Sequence, residues 1–261
     1  MIDNEKPIGV FDSGIGGVSV LRELHAIAPS ENVIYYGDSL NAPYGEKSAE
    51  EVRKLTFAAV EKLLGIGAKA IVVACNTATG AAVRLLREAY PSLPIVGIEP
   101  AIKPAVLFGE SELGKKDGSS RILVMATPVT ISQAKFSHLM EEYNGRAEII
   151  PLPCPHLAEL IEKGDPDSEE IAEYLKNLLE DYRDVDSVVL GCTHYPFIKK
   201  HIEAYLPMAK IFDGGLGTAR EAIRRTAAAG LANTQNKISS ITFMSSKEGE
   251  TLELYRKFFE M

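Results

Sequence analysis

"VVACNT" at 72–77 and "VVLGCTH" at 188–194 share one design: an apolar, β-branched run that stops at a cysteine and then turns polar. Short runs that are apolar throughout read as strands buried on both faces of a parallel sheet. The chain has three cysteines, and two of them, Cys75 and Cys192, stand at the ends of these runs. Working outward, the other apolar runs pair up at a nearly constant offset. "IGVFDSG" (8–14) corresponds to "ILVMATP" (122–128), "VIYYGDS" (33–39) to "EIIPLPC" (148–154), and "IVGIEP" (95–100) to "KIFDGG" (210–215). Four segments in one order indicate two copies of a single plan. Pattern and spacing carry this reading, because residue identity between the copies is slight.

Between the runs lie helical periodicities, so each copy is a series of βαβ units. In "SAEEVRKLTFAAVEKLLGIGA" (48–68), Ser48 and Glu51 have capping-box spacing, and Val52, Leu55, Ala59 and Leu63 share one face. Gly65 and Gly67 supply the stop. "DSEEIAEYLKNLLEDY" (167–182) repeats the design, with Asp167 and Glu170 as the expected cap and Ile171, Leu175, Leu178 and Tyr182 as the stripe. The expected fold is α/β, with two pseudo-symmetric domains, each a mostly parallel sheet flanked by helices, and an active site in the cleft between them. The expected boundaries are 1–98 plus 213–261 for a discontinuous first domain and 99–212 for the second. "GESELGKKDGSS" (109–120) reads as a loop between the copies. The tail at 239–261 reads as one strand and one helix that complete the first sheet and have no partner in the duplication.

Composition removes several function classes. Net charge is −8 and only short "KK" and "RR" pairs occur, so no basic face for nucleic acid is expected. No apolar stretch approaches the roughly 18 residues of a membrane helix. "MIDNEKPIGVFDSG" has neither a basic start nor a long apolar segment, so it is not expected to be a secretory signal. Three cysteines without CxxC spacing argue against a disulfide framework and for a reducing, cytoplasmic setting.

Ligands of open parallel sheets sit beyond the carboxyl ends of the strands. The polar residues there are Asp12-Ser13-Gly14, Asp38-Ser39 with Asn41 to Gly45, Cys75-Asn76-Thr77, Glu99, Thr127 and Cys192-Thr193-His194. "DSGIGG" (12–17) is a glycine turn with anion-binding N–H groups, but its leading Asp12 disfavours phosphate and suits a ligand carrying both amine and carboxylate, such as an amino acid. A single strand-end cysteine is ordinarily a small buried hydrophobe. A matched pair, each followed by hydroxyl or amide side chains, points instead to proton transfer on two faces of one carbon. Donors at Asn76, Thr77 and Thr193 would stabilise the carbanion, and Asp12 and His194 would tune the thiols. A zinc site from Cys75, Cys192 and His194 is a rival, as is a non-catalytic amino-acid-binding module, although metal-ligand spacing is missing. Cys154, flanked by prolines, reads as structural, and His25, His138 and His201 as helix surface or packing residues.

Five motifs in order, "GVFDSGIGGVSVL", "YYGDSLNAPYGEKS", "VVACNTAT", "VGIEPAIKPA" and "VLGCTHYPFI", resemble the glutamate racemases of the cofactor-independent aspartate/glutamate racemase superfamily. The resemblance implies interconversion of L- and D-glutamate without cofactor or metal, with D-glutamate supplied to peptidoglycan. Cys75 would act toward the D-enantiomer and Cys192 toward the L-enantiomer. Asp12, Ser13, Pro43, Tyr44, Gly45, Asn76, Thr77, Thr193 and His194 would bind glutamate. "CPHLAELIE" places an assisting carboxylate at Glu162. An aspartate-specific relative is the rival within the superfamily, and the tyrosine-bearing loop argues against it. With no Lys or Arg in these motifs, hydroxyls, amides and helix N-termini are expected to hold both carboxylates. Oligomeric state stays open, a homodimer among the options.

Overall fold

A computed structural model describes residues 3–235, 239–247 and 249–261. Residues 1–2, 236–238 and 248, which the expected first-domain boundaries include, lie outside the described residues. Nine strands are described: β1 (Ile8–Asp12), β2 (Val33–Gly37), β3 (Ala70–Val73), β4 (Ile95–Gly97), β5 (Arg121–Ala126), β6 (Glu148–Pro153), β7 (Ser187–Leu190), β8 (Lys210–Asp213) and β9 (Ile241–Ser245). They form one sheet of order β4-β3-β1-β2-β9 and another of order β8-β7-β5-β6. All pairings are parallel. The chain divides into two compact units, Met1–Glu99 with Gly215–Met261, and Pro100–Gly214.

The four-strand order of the second sheet repeats the β4-β3-β1-β2 part of the first, as the paired sequence runs predict. Central strands β1, β3 and β7 are buried along their whole length, which is why their sequences are uninterrupted Val, Ile and Leu with small residues. β6 takes an edge, and there Pro151 and Pro153 are tolerated because no neighbour needs their missing N–H on that side. β9 pairs with β2 from Val33↔Ile241 to Gly37↔Ser245, and the helix Thr251–Glu260 follows it, so the tail does extend the first sheet.

The helix Ala49–Gly65 is capped by Ser48, whose Oγ accepts the Glu51 N–H at 3.2 Å. The Glu51 carboxylate does not complete the box; it pairs with Lys47 at 2.9 Å. Val52, Ala59 and Leu63 are buried as expected, together with Thr56 and Val60, and Leu55 lies at the edge of the stripe. Gly67 ends the segment at φ 94°, a left-handed conformation that only glycine adopts without strain.

Two expectations are corrected. The cap of the second-copy helix is Ser168, not Asp167: its Oγ accepts the Ile171 N–H, and the helix runs Glu169–Leu179. The one-residue shift puts Leu179 rather than Leu178 in the core with Ile171 and Leu175, and Tyr182 falls in a following 3-10 turn. The segment 109–120 is not a linker between the copies. Its first three residues belong to the helix Ile102–Ser111, and the remainder leads into β5 within the second unit.

One feature of the first unit left no signature in the sequence pattern. Lys69 is buried and donates to Glu31 Oε2 at 2.5 Å and to the Asn4 carbonyl at 2.6 Å. Glu31 Oε1 accepts the Asn233 N–H at 2.7 Å. This ion pair joins the N-terminal turn, the start of β3 and the chain that follows the helix Gly215–Ala228. A buried charge is costly unless paired, so losing one partner is worse than losing both. Lys69→Met is expected to lower unfolding free energy by about 3–5 kcal/mol in denaturant titration. The double change Lys69→Met with Glu31→Leu should recover much of that loss.

Candidate functional site

In the first unit the parallel register aligns the strand ends: Asp12 lies opposite Gly37, and Phe11 opposite Val73. Two residues past β3, Cys75 caps the helix Asn76–Ala89 with its sulfur, which accepts the Ala78 N–H at 3.4 Å. Ser13 Oγ donates to the same sulfur at 3.6 Å. A helix N-terminus and a hydroxyl donor both favour negative charge, so this pocket is built to hold a thiolate. Asp12, fully buried, accepts the Gly14 N–H at 2.9 Å and thereby closes the turn that presents Ser13. Gly17 is required here, because a Cβ would lie 2.5 Å from the Asp12 Cβ.

The loop after β2 folds back on the same strand ends. Asp38 accepts Asn41 Nδ2 at 3.0 Å on both oxygens and the Tyr44 hydroxyl at 2.6 Å. Burial, the bond to Asp38 and its negative charge push the Tyr44 phenol far above its ordinary value. Its proton therefore stays on Tyr44 and is committed to Asp38. Tyr44 is buried against Phe11, with ring centres 6.2 Å apart, while Pro43 and Gly45 beside it are half-buried. Asn76 and Thr77 are buried at the start of the helix. Both polar atoms of the Asn76 amide are without a hydrogen-bond partner among the described residues. An orphaned buried amide costs roughly 1–3 kcal/mol, a cost that a polar ligand removes.

In the second unit Cys192 follows β7 after Gly191, where a Cβ would meet the Met125 carbonyl at 2.9 Å. The Cys192 sulfur lies 3.5 Å from His194 Nδ1, and His194 Nε2 lies 2.6 Å from Glu162 Oε1. Glu162 closes the short helix Leu157–Glu162, and Thr193 is buried between Cys192 and His194. Burial lowers the proton affinity of His194. The Cys192 thiolate and the Glu162 carboxylate outweigh that and raise it well above the ordinary value. The imidazolium has both nitrogens engaged and no lone pair for a metal, which weighs against the zinc reading in this unit.

The structure thus brings Asp12, Ser13, Tyr44, Asn76, Thr77 and Cys75 to one set of strand ends and Cys192, Thr193, His194 and Glu162 to another. The two thiols differ in their surroundings. Thr77 occupies the position in the first copy that His194 holds in the second, and the first sulfur has a helix N-terminus and the Ser13 hydroxyl where the second has an imidazole. Cys154 is buried, its sulfur donates to the Leu152 carbonyl at 3.4 Å, and burial raises its pKa, as suits a structural thiol. Asp38 and Asn41 stood among the strand-end residues without a role; their i, i+3 spacing was the available signal of a side-chain clasp on the loop.

Residues 8–222 match the family model Asp/Glu/Hydantoin racemase. The chain is 49% identical over 258 residues to a glutamate racemase of Clostridium acetobutylicum, covering 98% of both proteins. It is similar to the structure of a glutamate racemase isoform of Bacillus anthracis, with TM-score 0.84, 29% identity and coverage of 99% of this chain and 95% of that one. It is also similar to the Francisella tularensis glutamate racemase in complex with D-glutamate, with TM-score 0.81, 28% identity and the same coverages.

Glu162→Gln removes the charge facing His194 and is expected to move His194 titration to lower pH, read by imidazole NMR. The imidazolium contributes to stability in full below the ordinary value of 6.5, and the contribution is lost as pH rises through the raised value. In Glu162→Gln that loss should set in at lower pH.

Proposed function

The chain belongs to the Asp/Glu/Hydantoin racemase family, and on that premise we propose that it interconverts L- and D-glutamate with Cys75 and Cys192 as its two acid/base groups. The observation that carries this reading is that each unit ends a buried parallel strand in a thiol that is hydrogen-bonded to a group able to stabilise its charged form. The glutamate branch follows from near-half identity over the full length of a glutamate racemase.

The reaction moves one proton off Cα on one face and delivers another from the opposite face. A thiolate takes the Cα hydrogen, the electron pair passes into the adjacent carboxylate system, and a thiol on the other side returns a proton to carbon. The groups have then exchanged protonation states, and solvent restores them between turnovers. Cys75 acts toward the D-enantiomer and Cys192 toward the L-enantiomer. Around Cys75 the helix N-terminus and Ser13 lower the cost of the thiolate, while Asp12 closes the turn and accepts from the ligand's ammonium. Around Cys192, His194 stabilises the thiolate and Glu162 keeps His194 charged.

The Cα hydrogen is weakly acidic, so the carbanion needs donors aimed at the carboxylate. The Asn76 amide, the Thr77 and Thr193 hydroxyls and nearby backbone N–H groups fill that role. Because the Tyr44 hydroxyl proton is held by Asp38, we assign the glutamate contact of this loop to the backbone at Tyr44 and Gly45, with Pro43 shaping it. D-Glutamate bound to the Francisella relative supports the same ligand here. The D-glutamate formed goes to peptidoglycan. Three free cysteines and a net charge of −8 fit a cytoplasmic enzyme without a nucleic-acid partner, and among the described residues no helix is long and apolar enough to cross a membrane.

Purified enzyme should abolish the optical rotation of L-glutamate and incorporate deuterium at Cα in D₂O. Cys75→Ser and Cys192→Ser should each lower kcat by about 10²–10⁴-fold. Full activity in either variant would remove the two-thiol mechanism, and turnover of aspartate alone would move the assignment within the family. Asn76→Ala should lower kcat roughly tenfold, with a smaller rise in KM, through loss of a donor that stabilises the carbanion.

A further inference from the structure

The tail β9 and the helix Thr251–Glu260 have no counterpart in the second unit, whose sheet ends at β6 among the described residues. The proposed chemistry assigns the tail no task, yet one of its side chains bonds the 38–45 loop and packs against Tyr35, which in turn bonds the 12–14 turn. Tyr255 is fully buried, and its hydroxyl lies 2.7 Å from Ser39 Oγ and donates to Ser245 Oγ at 3.2 Å. The ring stands edge-on to Tyr35, with centres 5.2 Å apart at 81°, and the Tyr35 hydroxyl donates to the Gly14 carbonyl at 2.6 Å.

Gly37 shows how closely this side chain sits against the strand end. A Cβ at Gly37 would lie 2.1 Å from the Tyr255 hydroxyl and 2.7 Å from the Gly14 carbonyl. The tail also bonds the loop through backbone groups: the Leu40 N–H donates to Ser246 Oγ at 3.0 Å, and the Ser246 N–H to the Gly37 carbonyl at 3.1 Å. Ser39 follows directly on Asp38, which holds the Tyr44 hydroxyl, and Gly14 follows directly on Ser13, which donates to the Cys75 sulfur. A phenylalanine would supply the ring packing alone. The hydroxyl is what connects the helix to Ser39, and a buried phenol needs such partners.

We propose that Tyr255 is a positioning residue for the racemase reaction, holding the 38–45 loop in its ligand-binding form from the back of the first sheet. The proposal rests on the reading of that loop as glutamate-binding. A residue that acts by holding binding loops affects ground state and transition state alike, so its loss appears in KM rather than kcat.

Tyr255→Phe keeps the ring and removes the hydroxyl; it should raise KM for glutamate roughly three- to tenfold, the range of one hydrogen bond. Its kcat should stay within about a factor of two, as loss of uniform binding requires. Ser39→Ala, on the half-buried loop side of the same bond, should give the same rise, and the double variant should be no worse than the more affected single one. Unchanged KM in both variants, or effects that add in the double variant, would overturn the proposal and leave Tyr255 a packing residue. If Tyr255→Phe does not fold, Ser39→Ala decides alone, with unchanged KM counting against. Wild-type enzyme assayed in parallel separates the failures: turnover with unaffected variants sinks the positioning role only, whereas no glutamate turnover in the wild type sinks the functional reading and this proposal with it.

Discussion

Parallel pairing is the constraint on which the rest of this structure depends. When every strand of a sheet runs the same way, all carboxyl ends meet at one edge, and each chain must leave the sheet there before it can enter its helix. β1 and β3 are buried along their length, so their polar residues can appear only where the strand stops. Asp12, Ser13, Cys75, Asn76 and Thr77 consequently come to one place although 62 residues of chain separate Ser13 from Cys75. The second sheet applies the same rule to Cys192, Thr193 and His194.

Each copy of the repeated plan carries a strand-end thiol, and the two thiols have different electrostatic supports. Cys75 caps a helix of 14 residues, so aligned peptide dipoles and the Ala78 N–H attend its sulfur. A 3-10 turn, Tyr195–Ile198, follows Cys192 instead, too short to offer a comparable dipole. His194 and Glu162 take its place, two side chains arranged so that each ring nitrogen has a partner. Each sulfur therefore has a hydrogen-bonding partner, one supplied mainly by the backbone and the other by a side chain.

The tail, which has no partner in the second unit among the described residues, extends the first sheet. β9 covers the β2 edge, and Tyr35, Phe243 and Tyr255 build an aromatic cluster beneath the ligand loops. A loop of this kind is set more precisely when it is held from behind by packed side chains. The Asp38 clasp on Asn41 and Tyr44 serves this purpose from within the loop.

Period and order made much of this legible from residues alone. Alternating apolar runs and helical stripes set the two α/β units, the pairing of runs matched the repeated strand order, and the polar residue after each run supplied the candidate site, because those features are local or arise from simple spacing. Helix ends were legible where one residue could cap, as at Ser48. They were ambiguous where Asp167 and Ser168 adjoin, since either side chain can cap and packing of Leu179 decided between them. Side-chain partnerships across long stretches were beyond reach: Lys69 with Glu31, Tyr255 with Ser39, and His194 with Glu162. Each joins residues whose separation in sequence carries no period, so only the folded backbone brings their atoms within bonding distance. The sequence by itself determined which residues stand at the strand ends; the tertiary structure decided which of them touch, because hydrogen bonds and ion pairs act over a few ångströms and chain order does not measure that distance.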